Sequence, residues 1–152
     1  MNSNNLCRGI ECVFNEFSSI LKFFESISNS NWGEYYFFVV DQSIFSQGKR
    51  VNIPREFSPP YIEKLVQQSF MCERLVLHLY PRSENFVCID NYKDFLASNC
   101  ELIILAYDCC YIDVYCKNQY WLKEISRTAR SIPGTIVAEK YTNTDRRTSM
   151  YV

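Results

Sequence analysis

Apolar residues run almost unbroken from 102 to 107. From 111 to 116 they alternate, with Ile112, Val114 and Cys116 on one side and Tyr111, Asp113 and Tyr115 on the other. A continuous run of that length suits a strand buried on both faces, and alternation suits a half-buried one. Asp108, between the two, favours a turn because its carboxylate can bond to nearby backbone. The pattern predicts a β-hairpin at the centre of a sheet.

The flanking chain reads as elements packed around that hairpin. Residues 9–14 place Ile10, Cys12 and Phe14 on one strand face. A helix is expected from Asn15 or Glu16 to about Ser28, because Phe17, Ile20, Leu21, Phe24 and Ile27 fall on one stripe. Residues 32–41 are dense in aromatic and β-branched side chains and predict a strand. Residues 42–57 carry the weakest pattern; a long surface connection is expected there, with a short strand at 50–53. Ser58-Pro59-Pro60 opens a helix that buries Ile62, Leu65, Val66 and Phe70. Strands are expected at 74–80 and 85–89. Asn91 then caps a short helix at 92–98 that buries Phe95 and Leu96. After the hairpin, Asn118 caps a helix to about Ile132, with Trp121, Leu122, Ile125, Ala129 and Ile132 inward. Pro133-Gly134 stops it, and a last strand occupies 135–141.

From residue 85 onward the expected order is strand, helix, strand, strand, helix, strand. That is the ferredoxin-like, or split βαβ, pattern (βαββαβ). The expectation is one α+β domain over residues 1–152, with a single mostly antiparallel sheet and helices packed on it.

Composition narrows the function more than the fold. The chain has 152 residues, enough to bury a core without metals or disulfides. Its net charge of -1 gives no strong general attraction to nucleic acid or anionic lipid. Residues 1–116 sum to -5 and residues 117–152 to +4, an imbalance that cancels if the two parts pack together. The eight cysteines include no Cys-x-x-Cys, and His78 is the sole histidine, so zinc-ligand spacing is missing. Cys12, Cys72, Cys88 and Cys116 are read as small core hydrophobes. The first residues lack a signal-peptide pattern and no stretch is long enough to span a membrane, so a soluble, cytoplasmic chain is expected.

Four short stretches look familiar: Arg8-Gly9-Ile10, Tyr92-x-x-Phe95-Leu96-x-Ser98-x-Cys100, Tyr115-Cys116-Lys117 and Arg147-Thr148. They resemble a family of short, uncharacterised proteins from Bacillus-like bacteria, over most of the chain and best from residue 91 onward. That family is a domain of unknown function. The resemblance therefore implies an intracellular bacterial protein and transfers no activity. Cys109-Cys110 departs from the small polar residues expected at that place.

Candidate chemistry is sparse. No catalytic residue, metal ligand or cofactor site is assigned, and no cofactor is expected. His78 reads as a satisfied or surface-facing strand residue. Asp108 beside Cys109 and Cys110 raises rather than lowers a thiol pKa, which disfavours a thiolate nucleophile. Gly9, Gly33, Gly48 and Gly134 are too scattered for a phosphate loop. Lys117, Lys123, Arg127, Arg130, Lys140, Arg146 and Arg147 form a C-terminal basic segment, for which weak or no nucleic-acid binding is expected. The preferred expectation is a non-enzymatic module that binds another protein through Tyr107, Asp108, Tyr111, Asp113, Tyr115 and Arg147. On that view the Tyr111 and Tyr115 rings can be removed without loss of the fold. A small enzyme using carboxylate or thiol chemistry is the alternative.

Overall fold

The computed structural model describes residues 6–142, 145, 147 and 149–152. Among them lie eight strands: β1 (Cys7–Val13), β2 (Tyr35–Ser46), β3 (Lys49–Val51), β4 (Glu56–Phe57), β5 (Met71–Pro81), β6 (Leu102–Tyr107), β7 (Tyr111–Cys116) and β8 (Ile136–Tyr141). Four helices accompany them: α1 (Phe17–Ser28), α2 (Tyr61–Val66), α3 (Tyr92–Ala97) and α4 (Gln119–Ser131). The strands form one sheet in the order β3-β2-β5-β6-β7-β1-β8, with β4 also on the outer edge of β2. Every neighbouring pair is antiparallel. The α+β layering and the central hairpin agree with the sequence pattern.

One face of the sheet is covered by α1, α2 and α4. Ile20, Phe23, Phe24 and Ile27 of α1 pack with Leu122, Ile125 and Ala129 of α4 over Ile10, Ile104 and Val114. Full burial of each large apolar side chain contributes about 1.5–3 kcal/mol. The inward stripe of α1 includes Phe23, and Phe17 is left out of it. Phe17 is the first helical residue and remains 44% exposed at the rim of a pocket.

The other face carries Phe38, Val76, His78, Tyr80, Ile103, Leu105 and Tyr115. The strand expected at 85–89 is not formed. That segment lies across this face instead of pairing within the sheet. Phe86 stacks on Phe38 at 3.8 Å, and Tyr80 donates its hydroxyl to the Val87 carbonyl at 3.2 Å. Ring stacking and Ile89 burial anchor the segment where a ladder would have used backbone bonds. Cys88 is consequently exposed, not a core residue. On α3, Phe95 is buried but Leu96 is exposed, because a two-turn helix buries one residue-wide line.

The βαββαβ order expected from residue 85 loses its first strand, and β5 and β6, which flank α3, pair directly and antiparallel. Its second half is a split βαβ unit: β7 and β8 each pair antiparallel with β1 between them, so they run parallel to each other and α4 crosses from one to the other. The weakly patterned 42–57 region is more ordered than expected. β2 continues to Ser46, and Gln47-Gly48, with φ of 52° and 76°, turns the chain into β3. Positive φ at both turn residues matches the twist of a tight hairpin. The Gln42 side chain bonds both the N–H and the C=O of Ile53, holding the return segment.

Candidate functional site

Alternation along β7 sends Tyr111, Asp113 and Tyr115 to the face away from α1 and α4, as the sequence predicts. That face is not free. The C-terminal tail returns across it, anchored by the bridge between Asn91 and Ser149, the Met150 N–H on the Asp90 carbonyl, and the buried Met150 side chain.

Beneath the tail lies a set of charges held among rings. The Asp113 side chain is 1% exposed; the Arg147 guanidinium donates to its Oδ2 at 2.6 Å and the Tyr107 hydroxyl at 3.3 Å. Its other oxygen has no hydrogen bond and faces Lys140 Nζ at 3.7 Å. Asp145, 3% exposed at its side chain, accepts from Arg8 at 2.8 Å and from the Tyr115 hydroxyl at 2.9 Å. Lys140 links the two carboxylates, standing 3.8 Å from Asp145 and donating to Tyr115 at 3.3 Å. The Arg8 guanidinium lies 4.1 Å over the Tyr92 ring. Burial raises the Asp145 pKa, but the Arg147 N–H, the Tyr115 hydroxyl and the Lys140 and Arg8 charges outweigh it and hold the carboxyl below its ordinary value. Burial, then the Asp113 charge, pushes the Tyr107 phenol up to about 12.

The six residues singled out from the sequence thus separate. Asp113 and Tyr115 are buried in this cluster, and Arg147 joins them by pairing with Asp113. Tyr107 and Tyr111 stack at 5.3 Å and are half-buried, and Asp108 is exposed in the turn. Tyr115 is fully buried, so its ring is part of the fold and cannot be removed without consequence. Arg8, Lys140 and Asp145, the remaining members, lie far from the hairpin in sequence. Arg8 stands out in the sequence only through the family resemblance and Lys140 only through the basic segment, and the -5 and +4 imbalance is partly neutralised here.

The hairpin turn borders a second feature. A pocket of about 500 Å³ is lined by Phe17, Phe45, Met71, Glu73 and Cys109 at the end of the molecule where the turn sits. Phe17 and Met71 are 44% and 47% exposed at its rim. Sequence patterning missed it, because Phe17 was counted into the buried stripe and Phe45 into a structureless connection.

Reactive groups are muted. Burial pushes the thiols of Cys12, Cys72, Cys100 and Cys116 up to about 12, and raises those of Cys7 and Cys109. Contrary to the expectation above, His78 is neither satisfied nor surface-facing. It is 1% exposed, neither ring nitrogen has a hydrogen bond, and desolvation lowers its pKa to about 4. Its ring neighbours are Tyr80 and Phe86, not a thiol or a carboxylate. Among the described residues no three His, Cys, Asp or Glu side chains converge as metal ligands. Of the basic segment, Lys140 and Arg147 are used in the cluster, and Lys117 donates to the Ser98 carbonyl at 2.6 Å. Arg127 pairs with Glu124, and Arg130 donates to Ser126; Arg146 lies outside the described residues. No helix among the described residues is long and apolar enough to cross a membrane.

An antiparallel sheet with α1, α2 and α4 on one face and α3 and a charge-latched tail on the other defines a small α+β protein. Residues 62–151 match the family described as "Protein of unknown function (DUF2691)", and the chain belongs to that family. It is 26% identical over 133 residues to "Uncharacterized protein YncE" of Bacillus subtilis (strain 168), covering 83% of this chain and 84% of that one. No solved structure matches.

Proposed function

We propose that the protein is a cytoplasmic, non-enzymatic module that binds another protein with the hairpin end of its sheet. The observation that carries this is the apolar pocket of about 500 Å³ bounded by Phe17, Phe45 and Met71, with two of those side chains half in water. An aromatic and a methionine at the rim of a pocket suit the anchoring of a partner's apolar side chain. The stacked Tyr107 and Tyr111 and the exposed Asp108 supply a polar flank across the same turn. The muted thiols and buried imidazole favour binding over catalysis. Eight free thiols suit a reducing compartment.

The test is affinity capture from a Bacillus lysate with the wild type and with Phe17→Asp/Met71→Asp. Both side chains are substantially exposed, so the double variant should keep its circular dichroism and melting midpoint. The proteins captured by the wild type should be lost. Equal capture by the folded double variant would remove this end of the molecule as the binding surface.

A further inference from the structure

At the opposite end of α1, about 18 Å along its axis, a second pocket of about 300 Å³ opens between α1 and α4. Both tryptophans of the chain line it, Trp32 from below and Trp121 from α4, with ring centroids 5.6 Å apart. Tyr35 holds Trp121 edge-on at 5.2 Å, which fixes the indole. Tyr120 stands exposed at the mouth.

One carboxylate lines this pocket, and Arg127 pairs with it from outside the lining. Glu124 is its only charged lining residue, and no Lys or Arg lines it. The C-terminal turn of α1 borders it through Ser26, Ile27 and Asn29, and that turn contains no basic residue to offset the negative end of the helix. The first turn of α4 also borders it through Tyr120 and Trp121, so the two helix ends oppose each other there, and both are capped by hydrogen bonds. An indole ring and a carboxylate both favour positive charge.

We propose that this pocket binds a small organic ammonium ion, with the cation against the partly exposed Trp121 ring, Trp32 buried beneath it, and Glu124 as its counter-charge. The site is distinct from the hairpin end and does not depend on it. Arg127 pairs with Glu124 in the empty pocket, so it competes with the ligand for that carboxylate.

Choline chloride tests the proposal, with its uncharged carbon isostere dimethylbutanol as control and sodium chloride matching ionic strength. Because no tryptophan lies elsewhere, intrinsic emission reports on the pocket directly. Choline should give a saturable change, with affinity roughly 5–30-fold above that of the isostere. Glu124→Gln should weaken choline several-fold, and Arg127→Ala should tighten it; both side chains are partly or largely exposed, so the fold should survive. Equal affinity for choline and the isostere would overturn the proposal, as would a response to choline that does not saturate. An unchanged choline affinity in Glu124→Gln would remove that carboxylate as the counter-charge and overturn the site as stated.

Discussion

A methyl group added at Gly9 would stand 2.3 Å from the Val114 carbonyl oxygen and 3.2 Å from the Tyr115 ring. Backbone cannot yield by that amount within a paired strand, so Gly9→Ala should destabilise by about 3 kcal/mol, read as a lower urea midpoint with an unchanged slope. His78 acts through protons. Its folded pKa of about 4 lies below the ordinary 6.5, so the unfolded chain takes up the proton first as the pH falls. Stability is therefore full above about pH 6.5 and declines towards pH 4, by roughly 3 kcal/mol in all. His78→Leu should flatten that decline, measured by denaturant unfolding across the range. Strand alternation puts His78 on the same face as Val76 and Tyr80, where it lies. Its isolation was not legible, because the covering Phe86 segment was expected inside the sheet.

The hairpin shows why some elements could be read and others not. Six apolar residues followed by six alternating ones specify two strands and their faces, and β6 and β7 fall at 102–107 and 111–116 as the pattern requires. What covers a face is not written in the strand. The tail carries no periodicity, and its hold comes from single contacts by Asp145, Arg147 and Met150. The expected equivalence of Tyr111 and Tyr115 fails for that reason. Tyr111→Ala, half-exposed in its stack with Tyr107, should cost under about 1 kcal/mol. Tyr115→Ala empties a fully buried site and strips a donor from Asp145, and should cost about 4 kcal/mol. Thermal melts of the two single variants separate them directly. The turn between the strands adds its own strain, since Asp108 and Cys109 have φ of 51° and 63°. Cys109→Gly should relieve it by up to about 1 kcal/mol.

Across the whole molecule, the charged cluster joins parts of the chain that the sequence presents as opposites. Arg8 of β1 binds Asp145 of the tail, while Arg147 of the tail binds Asp113 of the hairpin and Lys140 of β8 lies between the carboxylates. Termini and centre are thereby tied by ions with little access to water, which salt screens less than surface pairs. The fold could be inferred from periodicity because burial imposes it on every residue of an element. The cluster could not, because it takes one or two residues from each of four segments. Its pH behaviour follows from Asp145, whose folded carboxyl titrates below the ordinary value of 3.8. The stability it contributes is complete above about pH 3.8 and is lost as the pH falls through the lower, folded value. That window lies below the one set by His78. Acid unfolding of the wild type should therefore draw on two separate losses, an upper one removed by His78→Leu and a lower one retained. Asp145→Asn should show the reverse, keeping the upper loss and weakening the lower. Proteolysis of the tail, followed at pH 5 and at pH 3, checks the assignment: the wild-type tail should stay protected at pH 5, where only the histidine has begun to act. Cleavage there as fast as at pH 3 would mean that the Asp145 carboxylate does not hold the tail.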